Sequence, residues 1–259
     1  MTFMKNKLKR FAGTVFPLIL ALSFIAGCSL FAKKQTLSSP ETIYEKGVEY
    51  YRNEKYRDAI PLFQRVKEEY PLSKYALLAE LGIADSYFSE DQFIEAETAY
   101  SEFTSLHPTN PNLPYVIYQL GMCHYKQLML IDRDQSETIK AKKEFERLTS
   151  QFPSSKFSAL SERKIRDCRQ RLAEHEFYVG HFYFKSKHYK AAIKRFEIVA
   201  KDYPNLGLDY KVGYFIAETK KRIEIQEKEK LAKERGEKDK DKLKEMKNLK
   251  KEEMFTPKS

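Results

Sequence analysis

One frame recurs four times along this chain and restricts its fold more than any other feature. It reads alanine, an aromatic residue four positions on, a bulky apolar residue three beyond that, an aromatic ring four further, and then proline. The copies are Ala59-Phe63-Val66-Tyr70-Pro71, Ala96-Tyr100-Phe103-His107-Pro108, Ala141-Phe145-Leu148-Phe152-Pro153 and Ala192-Phe196-Val199-Tyr203-Pro204. The alanine-to-proline separation is 12 in every copy. Spacings of three and four place these side chains on one face of a helix. The proline then stops the helix, because it has no N–H to donate and clashes with the turn before it.

A second frame lies upstream of the first. Gly47, Ala84, Gly121 and Gly180 each precede aromatic residues and then the alanine, 12 positions ahead in copies one, two and four and 20 ahead in copy three. A small residue on one helix facing an alanine on the next lets two backbones approach closely. Helix-turn-helix units with small, aromatic and proline positions in this order resemble the tetratricopeptide repeat, which recurs about every 34 residues. The chain departs from that repeat at Val66, Phe103, Leu148 and Val199, where alanine is usual. The predicted fold is all-α: a tetratricopeptide-repeat α-solenoid of about five helix-turn-helix repeats, with a long connecting helix.

The first residues predict an export leader. Lys5, Lys7, Lys9 and Arg10 precede an apolar run over 11–25 that is too short to span a bilayer and is interrupted by Pro17. The run ends Ile25-Ala26-Gly27-Cys28, which resembles a bacterial lipobox. The expectation is acylation of the Cys28 thiol and cleavage before it, leaving several acyl chains as a firm anchor. Ser29 rather than aspartate follows, which in such lipoproteins implies delivery to the outer membrane. Loss of the leader's four cations lowers the formal charge from +10 to +6, a mild excess.

The chain then divides into a lipidated tether over 28–39, N-terminal repeats over 40–153, a long helix with C-terminal repeats over 154–226, and a charged tail over 227–259. Ser39-Pro40-Glu41 has the pattern of a helix start. Residues 109–114 are dense in turn formers and read as a non-helical connector. The extra eight residues of copy three fall within 126–140, with the polar centre Ile131-Asp132-Arg133-Asp134-Gln135-Ser136 expected as an exposed loop. Proline is absent from 156–187, so one helix of about 30 residues and 45 Å is expected there.

Signs of catalysis are missing from the pattern. The histidines show no metal-ligand spacing, and no phosphate-binding glycine loop, nucleophile elbow or paired-acid motif occurs. The reading is therefore not an enzyme, with no cofactor and no metal. His107 and His124 occupy positions filled elsewhere by Tyr or Phe, and core packing explains them. Cys123 and Cys168 read as buried apolar cysteines rather than a disulfide. Nucleic acid is not an expected partner of an exported protein.

Several stretches carry a closer resemblance. They are His107-Pro108-Thr109-Asn110-Pro111 followed by Tyr115-Val116-Ile117-Tyr118, Asp132-Arg133-Asp134-Gln135, Tyr203-Pro204, and Arg171-Leu172-Ala173-Glu174-His175-Glu176. With the lipobox and the repeats, they make the chain resemble the BamD (ComL/YfiO-like) family of outer-membrane β-barrel assembly lipoproteins. That resemblance implies a scaffold facing the periplasm whose N-terminal repeats receive unfolded outer-membrane proteins. Tyr44, Tyr51, Tyr87 and Tyr118 are the candidates for that client groove. It also implies docking on a BamA-type barrel with POTRA domains through Arg195, with Asp132, Arg133 and Asp134 as further contact candidates. A different periplasmic repeat lipoprotein, organising peptidoglycan or a secretion pore, is the alternative.

Overall fold

The computed structural model describes residues 39–255, with side chains through 246. Cys28, the leader over 1–27 and the tether up to 38 lie outside the described residues. Among the described residues the secondary structure is helical: α1 (Pro40–Arg52), α2 (Tyr56–Glu69), α3 (Lys74–Ser89), α4 (Phe93–Leu106), α5 (Leu113–Lys126), α6 (Ser136–Gln151), α7 (Lys156–Lys185), α8 (Tyr189–Asp202) and α9 (Asp209–Phe255). Each helix packs on its neighbours in sequence, so the molecule grows in one dimension.

The ends of these helices follow local chemistry. Ser39 caps α1 by accepting from the Thr42 N–H, and the Thr42 hydroxyl oxygen accepts in return from the Ser39 N–H. Ser73 and Ser155 cap α3 and α7 by accepting from the Tyr75 and Phe157 N–H groups. Helices α2, α4, α6 and α8 stop at Tyr70, His107, Phe152 and Tyr203, whose φ angles of −134°, −127°, −133° and −130° lie outside the helical region, which a following proline disfavours. Pro61 does not end α2; the helix runs through it on an exposed face. The connector is shorter than expected, because α5 begins at Leu113 with Pro114 in its first turn, where a missing N–H costs nothing.

The recurring frame is the core. Ala59, Ala96, Ala141 and Ala192 are each fully buried, and the aromatic residue four further on is at most 2% exposed. Gly47, Gly121 and Gly180 lie directly against Phe63, Phe145 and Phe196: a Cβ at any of them would fall within 2.8 Å of the ring. Phe63 is gripped from its other edge by Gly82, where a Cβ would fall 2.8 Å away. Cys123 and Cys168 are free and buried. Burial pushes both thiols up to about 12, which keeps them protonated and unreactive.

Helix α7 spans 30 residues, as the absence of proline predicted, and links the N-terminal repeats to α8. Helix α9 continues without a break past 226, carrying its charged sequence as helix to Phe255.

Candidate functional site

A cleft of about 310 Å³ opens between the first helices of the first three repeats. Helix α1 contributes Tyr44, Val48 and Tyr51; α3 contributes Leu78, Leu81, Gly82 and Asp85; Asn112 and Tyr115 at the start of α5 close the far side, with Phe63 behind. Aromatic rings dominate the walls. Tyr44 lies 5.6 Å from Phe63 and 5.4 Å from Tyr75, and the Tyr51 hydroxyl is 3.1 Å from Ser89 Oγ. These contacts fix the two rings without filling the space between them.

Asp85 is the charged group of the cleft. Its Oδ1 accepts hydrogen bonds from the Tyr100 hydroxyl at 2.5 Å and the Tyr115 hydroxyl at 2.6 Å. Burial raises the carboxyl pKa, and the two hydroxyl donors oppose that rise. Burial and the neighbouring Asp85 charge in turn raise both tyrosine pKa values, so these phenols remain donors. Gln119 Nε2 donates to the Tyr115 hydroxyl oxygen at 3.2 Å and completes the network.

Two of the four tyrosines expected in the groove are therefore in it, and two are not. Tyr87 packs between the core around Ala59, Phe63 and Val66 and the core around Ala96, Tyr100 and Phe103. Tyr118 sits between Phe145 at 5.8 Å and Phe157 at 5.6 Å and belongs to inter-repeat packing. Asp85, Asn112 and Tyr115 were missed. The signal for Asp85 was available: α3 is an apolar helix whose only acids are Glu80 and Asp85, and Glu80 is taken by His107 at 2.8 Å.

The inserted segment over 127–135 does expose Asp132, Arg133 and Asp134. Hydrogen bonds from Ser136 hold the Asp134 carboxyl below its usual range. Gln135, expected in the exposed loop, is instead 5% exposed. Its amide donates to the Leu130 and Arg133 carbonyls at 2.8 and 3.0 Å, and its own oxygen accepts from the Thr138 hydroxyl. Helix α7 fastens the loop from outside: His175 Nδ1 donates to the Ile131 carbonyl at 2.6 Å, and Arg171 donates to the Met129 carbonyl.

Arg195 is not the free surface charge that its helical position suggested. It stands half-exposed on α8, and its Nη1 donates to both carboxylate oxygens of Glu176 on α7, at 2.9 and 3.1 Å. The two core histidines are also more than packing. His124 is 5% exposed, with Nδ1 2.7 Å from Glu137 and Nε2 3.7 Å from Glu97, so it ties two repeats together. Among the described residues no three metal-ligating side chains converge.

Comparison with known proteins gives one family. The model of the family described as "YfiO: Outer membrane lipoprotein" matches residues 37–235. The outer membrane protein assembly factor BamD of Rickettsia prowazekii is 32% identical over 180 residues, covering 69% of this chain and 72% of that protein. The BamD of Caulobacter vibrioides is 28% identical over 185 residues, covering 70% of this chain and 61% of that protein. Among solved structures, PcrH from Pseudomonas aeruginosa is 19% identical with a TM-score of 0.40, covering 53% of this chain and 98% of that one.

Proposed function

This chain belongs to the YfiO family of outer membrane lipoproteins, and from that premise we propose that it acts in outer membrane protein assembly as a non-enzymatic scaffold. It is anchored through Cys28 to the outer membrane and faces the periplasm. Its N-terminal cleft holds extended segments of unfolded outer-membrane proteins, and its C-terminal repeats dock on a BamA-type barrel through the POTRA domains. The observation that carries the reading is the aromatic cleft itself. Tyr44, Tyr51 and Tyr115 present rigid walls on the side of the solenoid where three successive first helices converge, a surface suited to an extended peptide.

The test uses a photo-crosslinking residue at Leu78, which lines the cleft and is 40% exposed. Unfolded barrel protein is expected to crosslink there and not at Leu231, which is 54% exposed on α9. Equal yields at both positions would remove the cleft from the function. The anchor has its own check. Cys28→Ser is expected to release the protein from the membrane fraction or leave it uncleaved, and unchanged fractionation and processing would rule out lipidation at this residue.

A further inference from the structure

Asp85 has a feature that aromatic walls alone do not explain. Both of its hydrogen bonds go to Oδ1, and among the described residues Oδ2 accepts none and no cation pairs with the carboxylate. The side chain nevertheless borders the open cleft. A carboxylate partly withdrawn from water without a counter-charge is disfavoured, and an incoming cation that pairs with it offsets part of that penalty. The rings of Tyr44, Tyr51 and Tyr115 offer the negative faces that attract a cation once it is partly desolvated. An anion in the same space meets Asp85 at close range and is repelled.

We infer that the cleft selects an extended polypeptide segment by a basic side chain, best an arginine, inserted between the tyrosine rings to pair with Asp85 Oδ2. A free chain-terminal carboxylate is thereby excluded from this position. The inference rests on the reading of this cleft as the client site and adds the chemistry of what enters it. Arginine suits the place better than lysine, because its planar guanidinium can lie along an aromatic face while donating in its own plane to a carboxylate oxygen. Cavity size agrees, since about 310 Å³ accommodates a single long side chain rather than a folded element.

The experiment uses the full-length protein in detergent and fluorescence anisotropy with three heptapeptides, the first two blocked at both ends. One carries an arginine between two aromatic residues; the second carries citrulline, its neutral isostere, at the same place. A third has no basic residue and ends in a free carboxylate. The arginine peptide is expected to bind about tenfold more tightly than the citrulline peptide, the scale of one desolvated cation–π and ion-pair contact. The free-carboxylate peptide is expected to bind more weakly than its own amide. In Asp85→Asn, which keeps an Oδ1 acceptor for the two tyrosines, the arginine advantage is expected to vanish.

Equal binding of the arginine and citrulline peptides to the wild-type protein overturns the inference, whether or not the Asp85→Asn variant folds. An arginine advantage that persists in a folded Asp85→Asn protein overturns it as well. Tyr44→Ala separates this failure from failure of the cleft reading. If arginine and citrulline peptides bind equally but both weaken in Tyr44→Ala, the cleft stands and its basic selectivity falls. If neither binds, or if Tyr44→Ala changes nothing, the cleft reading falls and takes the inference with it.

Discussion

Gly121→Ala is expected to destabilise the protein by about 1–3 kcal/mol, although alanine is the better helix former. The added Cβ would lie 2.5 Å from Phe145 Cε1 and 2.7 Å from Cδ1. The ring cannot swing aside, because Phe145 is fully buried and flanked by Tyr118 and Tyr125 at centroid distances of 5.8 and 6.3 Å. The entropic gain from replacing a helical glycine, about 0.5–1 kcal/mol, is too small to offset this overpacking. Gly213→Ala in α9 should move the other way, since nothing lies within 4 Å of the new methyl group. Thermal melts of the two variants check the signs. Two stabilised proteins would mean that Phe145 yields, and the close approach of α5 and α6 would then not be a constraint.

Arg195→Glu is expected to weaken folding and, on the proposed docking through α8, capture of a BamA-type barrel. The first effect follows from the structure: reversal sets two carboxylates where Nη1 now stands 2.9 Å from Glu176, whose side chain is 18% exposed. A loss of about 1–2 kcal/mol is reasonable for a partly screened pair turned repulsive. The swap Glu176→Arg with Arg195→Glu separates the two effects. Stability should return, because the pair is restored with its ends exchanged. Capture should stay sharply reduced if Arg195 meets an acid of the partner, since the charge presented by α8 remains inverted. Recovery of capture together with stability would make Arg195 a structural residue only. Lys194→Glu, an exposed neighbour on the same helix, controls for added negative charge and should leave both properties unchanged.

The repeats were legible because spacing alone determines which residues share a helical face. Ala59, Phe63, Val66 and Pro71 state the second helix of a hairpin completely: where it starts packing, what it packs with and where it ends. The first helix was legible by its glycine, although the grip on Phe63 from Gly82, in the next repeat, needed three dimensions to see. The cleft was half legible. Tyr44 and Tyr87 look alike in sequence, since both are tyrosines beside a small-residue position. Only the stacking of repeats decides that one ring faces a gap and the other fills a seam. Asp85 was passed over because acids on helices are usually solvated. The apolar composition of its own helix was the contrary sign. Arg195 shows the same limit from the other side, because helical azimuth gives a direction but not whether a neighbouring helix holds a carboxylate in that direction.

Helix α7 holds the inserted loop almost entirely by its main chain. Arg171 and His175 reach the carbonyls of Met129 and Ile131, and Gln135 turns back to the carbonyls of Leu130 and Arg133. Carbonyls are the same whatever side chain follows them. The clamp is therefore indifferent to the residues it holds and demanding only of those that do the holding. Met129, Leu130 and Arg133 are exposed, so side-chain changes there other than to proline should leave the loop seated, whereas loss of Arg171, His175 or Gln135 should loosen it. The segment is thus a place where new surface specificity can be tried at little risk to the fold, with the tip open to change and the fastening kept apart from it.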